Sequence, residues 1–137
     1  MKLNSGMNGG AMGFAKELAR LGDFPGHRPP PGQGENVGVQ CRSGSDADLV
    51  KAVVESWYKE ACAYFKCPQF SGVTGHFTQL VWKESTELGI GFARGTFKGF
   101  KDCLWVVGRY RKAGNVMGQL FQNVVKGSFN CGDVCRK

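Results

Sequence analysis

The chemistry this sequence could perform rests on few groups. Its only two histidines, His27 and His76, and two of its glutamates, Glu35 and Glu60, could together bind zinc if the fold gathers them, because imidazole and carboxylate are ordinary zinc ligands. Positions 27, 35, 60 and 76 form no compact ligand motif, so any gathering must come from tertiary structure. Glu60 is the most informative of the four. It lies on the line Val53, Trp57, Glu60, Tyr64, whose steps of four, three and four trace one stripe of a helix. Its stripe neighbours are apolar, so the carboxylate is expected to face the interior or a cleft. There it needs a partner, since burying an unpaired charge is costly. A structural partner, such as a backbone amide or a tyrosine, and a functional one are both open. Glu55 differs, because Lys51 and Lys59 stand four residues to either side, as on a solvated helix face. His76, in Thr74-Gly75-His76-Phe77-Thr78, falls at the expected start of a helix, where a structural role and a ligand role again both stand.

A nucleophile is harder to find. Ser71 and Ser85 lie near His76 in the chain, but no GxSxG is present. Gly32-Gln33-Gly34 sits in a proline loop rather than between a strand and a helix, so it does not read as a phosphate-binding turn.

The elements that must position these groups follow from periodicity. Ala11, Phe14, Ala15, Leu18 and Leu21 recur at helical spacing and Gly22 follows, which predicts a helix over 10–21. Pro25, Pro29, Pro30 and Pro31 make 23–34 a loop. A short strand is expected over 35–41. Ser45, with Asp48 three residues on, opens a second helix. Its broad apolar face of Leu49, Val53, Trp57, Ala61 and Tyr64 carries it to Cys67-Pro68. A third helix is predicted over 75–83. Then the period changes: Leu88, Ile90 and Phe92 alternate with small residues, and 103–111 is rich in Trp, Val and Tyr. This reads as an antiparallel hairpin with a long loop over 94–102. Helices plus a small antiparallel sheet make an α+β domain.

Composition narrows the class. With 137 residues, 42% hydrophobic and 21% charged, the chain fits one domain with one core. No apolar run approaches the ~20 residues of a membrane-spanning helix. The first ten residues are polar and glycine-rich, without the apolar run of a secretory signal; an exported form would have lost its signal or begin further upstream. Six cysteines, Cys41, Cys62, Cys67, Cys103, Cys131 and Cys135, contain no CxxC and read as three disulfides formed in an oxidising compartment. A local Cys62–Cys67 bridge is expected, and the rest of the pairing is left open. The net charge of +7 is uneven: residues 1–68 carry 8 basic and 7 acidic side chains, residues 69–137 carry 10 and 4. A basic half suits an anionic extracellular surface or protein partner. No nucleic-acid motif accompanies it, so nucleic acid is not an expected partner.

Gly75-His76-Phe77-Thr78-Gln79-Leu80-Val81-Trp82-Lys83, followed by Glu87-Leu88-Gly89-Ile90-Gly91, resembles the first signature of the CAP superfamily, the cysteine-rich secretory, venom-allergen and pathogenesis-related proteins. Val107-Gly108-Arg109-Tyr110 through Ala113-Gly114-Asn115-Val116 is similar to the second. Gly34-Glu35-Asn36 and Trp57-Tyr58-Lys59-Glu60 resemble its other landmarks. The resemblance covers residues 3–125, without the helix that usually opens the family's domain, and leaves 126–137 as a cysteine-containing tail. It implies an α-β-α sandwich with a cleft lined by two histidines and two glutamates. By position these are Glu35, Glu60 and His76, with His27 as the fourth, one residue beyond the family's spacing from Leu21-Gly22.

Three functional readings follow. The first, which the resemblance favours, is a secreted, non-enzymatic binding protein with a His/Glu cleft. It would bind a lipid or sterol, or a divalent metal such as weakly held zinc through His76 and His27, and would require no cofactor. Tyr64, Phe65 and Phe70 are its candidate apolar contacts, with plain core packing as the alternative. The second is a structural component of an extracellular assembly with a vestigial cleft. The third is a His/Glu-dependent hydrolase of the protease kind, which would need a serine nucleophile beside His76.

Overall fold

The structure, a computed structural model, describes residues 1–66 and 68–125. Its elements in chain order are β1 (Lys2–Leu3), α1 (Ser5–Leu21), β2 (Gln33–Gln40), α2 (Asp46–Lys59), α3 (Ala61–Lys66), α4 (Gly75–Leu80), β3 (Glu87–Phe97), β4 (Phe100–Arg111) and α5 (Leu120–Asn123). The sheet order is β1-β3-β4-β2. The β2–β4 and β3–β4 pairs are antiparallel, whereas β1 runs parallel to β3, an edge that the antiparallel expectation did not include. Helix α1 covers one face of this sheet and α2 with α4 the other. This is the expected α+β, α-β-α sandwich.

Alternation along β4 makes the two cores. Trp105 and Val107 face α1 and pack with Ala11, Phe14, Ala15, Leu18 and Val37. Leu104 and Val106 face α2 and pack with Leu49, Val53 and Trp57. Successive strand residues point to opposite faces, so one apolar strand serves both layers. A third cluster, Ala61, Tyr64, Phe77, Trp82 and Val124, joins α3 to α4 beyond the sheet.

Helix α1 starts at Ser5 rather than near residue 10. The Asn4 side chain caps it by accepting from the Gly6 amide at 2.9 Å, and Met7 is buried one turn in. Gly6, Gly9, Gly10 and Gly13 each weaken the helical signal by about 1 kcal/mol relative to Ala, and packing against β3 overrides that. The strand meets the helix with a column of small residues. A Cβ on Gly89, Gly91 or Gly95 would collide with Met7, the Ala11–Met12 backbone or Ala19 respectively. These glycines allow α1 to lie almost directly on the strand.

Ser45 caps α2 as expected, accepting from the Asp48 amide at 3.1 Å. The single long helix anticipated up to Cys67-Pro68 is instead broken at Glu60, which caps α2 before α3 begins. Helix α4 ends at Leu80, short of the expected 83. The long loop expected over 94–102 is absent: β3 and β4 run on to a two-residue turn, Lys98-Gly99, both at positive φ (47° and 89°). That conformation matches the right-handed twist of a hairpin. The glycine and charges that read as loop lie on the exposed, extended end of the hairpin.

Cys41 and Cys103 form a disulfide just past the Gln40–Leu104 pair, and Cys62 is also disulfide-bonded. Cys67, Cys131, Cys135 and the tail 126–137 lie outside the described residues, and with them the expected Cys62–Cys67 bridge. No helix among the described residues is long and apolar enough to cross a membrane.

Closeness of α1 to β3 yields a test. Gly91→Val should cost at least about 3 kcal/mol of stability, the upper end for overpacking a core, because the obstruction is helix backbone that cannot rotate away. Urea denaturation would measure it, and a loss under about 0.5 kcal/mol would show that the helix does not need the glycine column.

Candidate functional site

The break after α2 places Glu60 at the start of α4. Its Oε2 meets His76 Nδ1 at 2.9 Å, and its Oε1 accepts the Phe77 amide at 3.0 Å. Glu60 and His76 are thus in direct contact. One carboxylate therefore does both jobs left open for it: it satisfies a backbone amide and orients an imidazole. The His76 ring also stacks on Trp57, with centroids 5.9 Å apart and planes 7° from parallel. The α2 stripe that buries Trp57 thus supplies both the platform and the anchor for this histidine.

The second pair is built from the sheet edge. In β2 the alternation sends Glu35 toward the α1 face and Asn36 toward the α2 face. Glu35 is almost wholly buried, its side chain 1% exposed. Oε1 meets His27 Nδ1 at 2.9 Å and accepts the Arg28 amide at 3.2 Å. Oε2 accepts from Arg109 Nε at 3.0 Å, across the Glu35–Arg109 register pair of β2 and β4. Asn36 donates to the His76 carbonyl at 3.0 Å and to the Tyr110 hydroxyl at 3.1 Å. Burial pushes the ionisation of Tyr110 well above the usual tyrosine range, so it stays a neutral hydrogen-bonding group. The two histidines reach the site around one edge strand, from opposite faces of the sheet.

Both line a cleft of about 370 Å³, with Glu35, Asn36, Phe70, Gln79 and Asn115 among the other walls. Gln79 holds the floor. It accepts the Gly114 amide at 2.8 Å and donates to Ser85 at 3.1 Å, and a Cβ on Gly34 would run into it. Asn115 ties the 113–115 segment to α4 through Thr78 at 2.6 Å and the Gly75 carbonyl at 3.0 Å. Neither serine near His76 is placed as a nucleophile. Ser85 is buried and donates to the Lys112 carbonyl at 2.6 Å; Ser71 accepts the Val73 amide in its own turn.

His27, Glu35, Glu60 and His76 are therefore brought together as two carboxylate-held imidazoles, not as a four-ligand cage. Among the described residues no three of His, Cys, Asp and Glu converge to hold a metal. A carboxylate only accepts hydrogen bonds, so each Nδ1 is the donor, and each Nε2 makes no hydrogen bond among the described residues. A carboxylate behind a metal-binding histidine is the usual outer-shell arrangement.

Arg109, Asn36 and Gln79 escaped the sequence reading. Arg109 left a signal: it is the one charge in the run Leu104–Tyr110, and a buried strand cation requires a carboxylate on a neighbouring element. Of the candidate aromatics, Tyr64 and Phe65 pack together and against Phe77 at 5.1–5.8 Å, which is core packing. Phe70 is 57% exposed. It lines both the histidine cleft and an adjoining groove of about 460 Å³ walled by Val116, Met117, Leu120 and Phe121.

A three-layer α-β-α sandwich with two Glu-held histidines at its sheet edge defines a class. Residues 1–110 match the profile of the cysteine-rich secretory protein (CAP) family, and the chain belongs to that family. It is 33% identical over 122 residues to the human Golgi-associated plant pathogenesis-related protein 1, spanning 88% of this chain and 75% of that one. It is 34% identical over 115 residues to a probable pathogenesis-related protein of Candida albicans, 82% of this chain but 32% of that protein. Two further Candida albicans relatives are named secreted proteins. The fold is shared with Schistosoma mansoni venom allergen-like protein 4, at TM-score 0.64 and 17% identity over 93% of this chain and 76% of that one.

The buried Glu35–Arg109 pair gives the next prediction. Arg109→Met should cost about 3–5 kcal/mol, because it strands a buried carboxylate. Adding Glu35→Gln should recover part of that loss. Denaturation of the two variants would check it; additive losses would mean that the pair is not coupled.

Proposed function

We propose that this chain is a secreted binding protein rather than an enzyme. On this reading a lipid or sterol lies in the groove beside Phe70 with its polar end toward the histidine cleft, where a divalent metal such as zinc is also held weakly. The observation that carries it is the continuity of the two spaces: Phe70 and Asn115 line both the polar cleft and the apolar groove. Met117 and Phe121 on the groove wall are 97% and 71% exposed, an unusual placement for large apolar side chains without a ligand to cover them. The Cys41–Cys103 disulfide and the relatives' names support an oxidising, extracytoplasmic setting. A hydrolase reading finds no serine, threonine or cysteine among the described residues lining the cleft.

Two experiments follow. Zinc calorimetry should show modest binding that weakens in acid, as protonated ligands cannot coordinate. His76→Ala and His27→Ala should each lower affinity by about tenfold or more, a loss that even an outer-shell change can cause. Unaltered binding in both variants would place the metal elsewhere.

For the groove, Phe121→Ser should weaken uptake of a fluorescent sterol about tenfold or more, given ~1.5–3 kcal/mol for burying a phenyl ring. If the unsubstituted protein takes up neither sterol nor fatty acid saturably, the lipid reading fails.

A further inference from the structure

The guanidinium of Arg109 is only partly used by the histidine site. Nε donates to Glu35 and Nη2 donates to the Arg28 carbonyl at 3.2 Å. Nη1 has no hydrogen-bond partner among the described residues, although the side chain is only 7% exposed. It points along α1 at Gly10, where an added Cβ would sit 3.1 Å from it. A separate cavity of about 350 Å³ opens here, with Asn4, Gly6, Gly10, Gln33, Arg109 and Arg111 in its wall. It adjoins the histidine cleft, with Gln33 in both walls, and shares no wall residue with the Phe70 groove.

The wall holds two cations and no carboxylate. The two nearest acids each pair with residues of this wall: Glu35 with Arg109 Nε and, beyond it, His27, and Glu87 with Arg111 Nη1 at 3.3 Å and Asn4 Nδ2 at 2.7 Å. Arg111 keeps Nε and Nη2 uncommitted among the described residues. The first turn of α1 contains no acidic residue, so the positive end of a 17-residue helix adds to the same field. Gly10 is exposed on the helix and unfavourable there by about 1 kcal/mol relative to Ala. Its lack of a side chain is what keeps Nη1 reachable.

We propose that this cavity binds a small oxyanion of the phosphate or sulfate class, held between Nη1 of Arg109 and the free donors of Arg111. Guanidinium groups are matched to such anions in shape and charge. The site does not rest on the metal or lipid reading, because Nη1 and Arg111 take no part in either.

The test is an amide and Arg Nε–H NMR titration of the full chain with inorganic phosphate, then sulfate, at ionic strength fixed with chloride. Saturable shifts at Gly6, Gly10, Arg109 and Arg111 are expected. Arg111→Gln and Gly10→Ser should each weaken binding by about tenfold or more; both positions are exposed, and the same spectra report whether the fold is intact. Shifts that grow linearly with anion, or that persist unchanged in both variants, would overturn the proposal. Co-sedimentation with phosphatidylcholine vesicles containing phosphatidic acid identifies the source of the anion. Vesicle binding lost in Arg111→Gln supports a lipid phosphate, and phosphate binding without vesicle binding supports a free anion.

Discussion

One buried ion pair underlies the arrangement at the sheet edge. Glu35 and Arg109, 1% and 7% exposed, face each other across β2 and β4. Burying two charges is expensive, and such a pair is seldom a net source of stability against a well-packed apolar alternative. Its value lies in position. With Oε2 committed to Arg109, Glu35 has Oε1 free for His27 and the Arg28 amide. Arg109 in turn holds the Arg28 carbonyl. A proline-rich loop with no regular structure of its own is thereby fixed to the sheet at both polar groups of one residue, and His27 is fixed with it.

The other half of the site uses a different device. Glu60 has no buried counter-cation; it answers the Phe77 amide and the His76 ring, and Trp57 backs that ring from below. Asn36 joins the halves by donating to the His76 carbonyl from the strand that carries Glu35. Two neighbouring residues on one strand, pointing to opposite faces, thus set both histidines. Gly34 belongs to the same design, since its missing side chain is filled by Gln79.

Much of this was legible in the chain. The stripe Val53, Trp57, Glu60, Tyr64 placed Glu60 inward because helical periodicity is local. Ser45 marked the true start of α2 for the same reason. The family motifs supplied Glu35 and His76. What could not be read depends on contacts distant in sequence. The early start of α1 is stabilised by β3, against the propensity of its glycines. The Arg94–Asp102 stretch has loop composition, yet it is strand because Lys98-Gly99 alone makes the turn. The break at Glu60 leaves the apolar pattern intact on both sides. Arg109 stood in the open as a charge in a buried strand, but its meaning required knowing that β2 lies beside β4.

The helix break also fixes the phase of α2. Glu60 reaches His76 from the C-cap of a helix whose orientation is set upstream by Leu49, Val53 and Trp57 in the core. Each residue added or removed along an α-helix turns everything beyond it by about 100°. A single insertion between Ser45 and Trp57 would leave composition and helix length almost unchanged while swinging the carboxylate away from the imidazole. An inserted residue leaves the anchor unrotated only at the ends of this region, before the Ser45 cap or after α3.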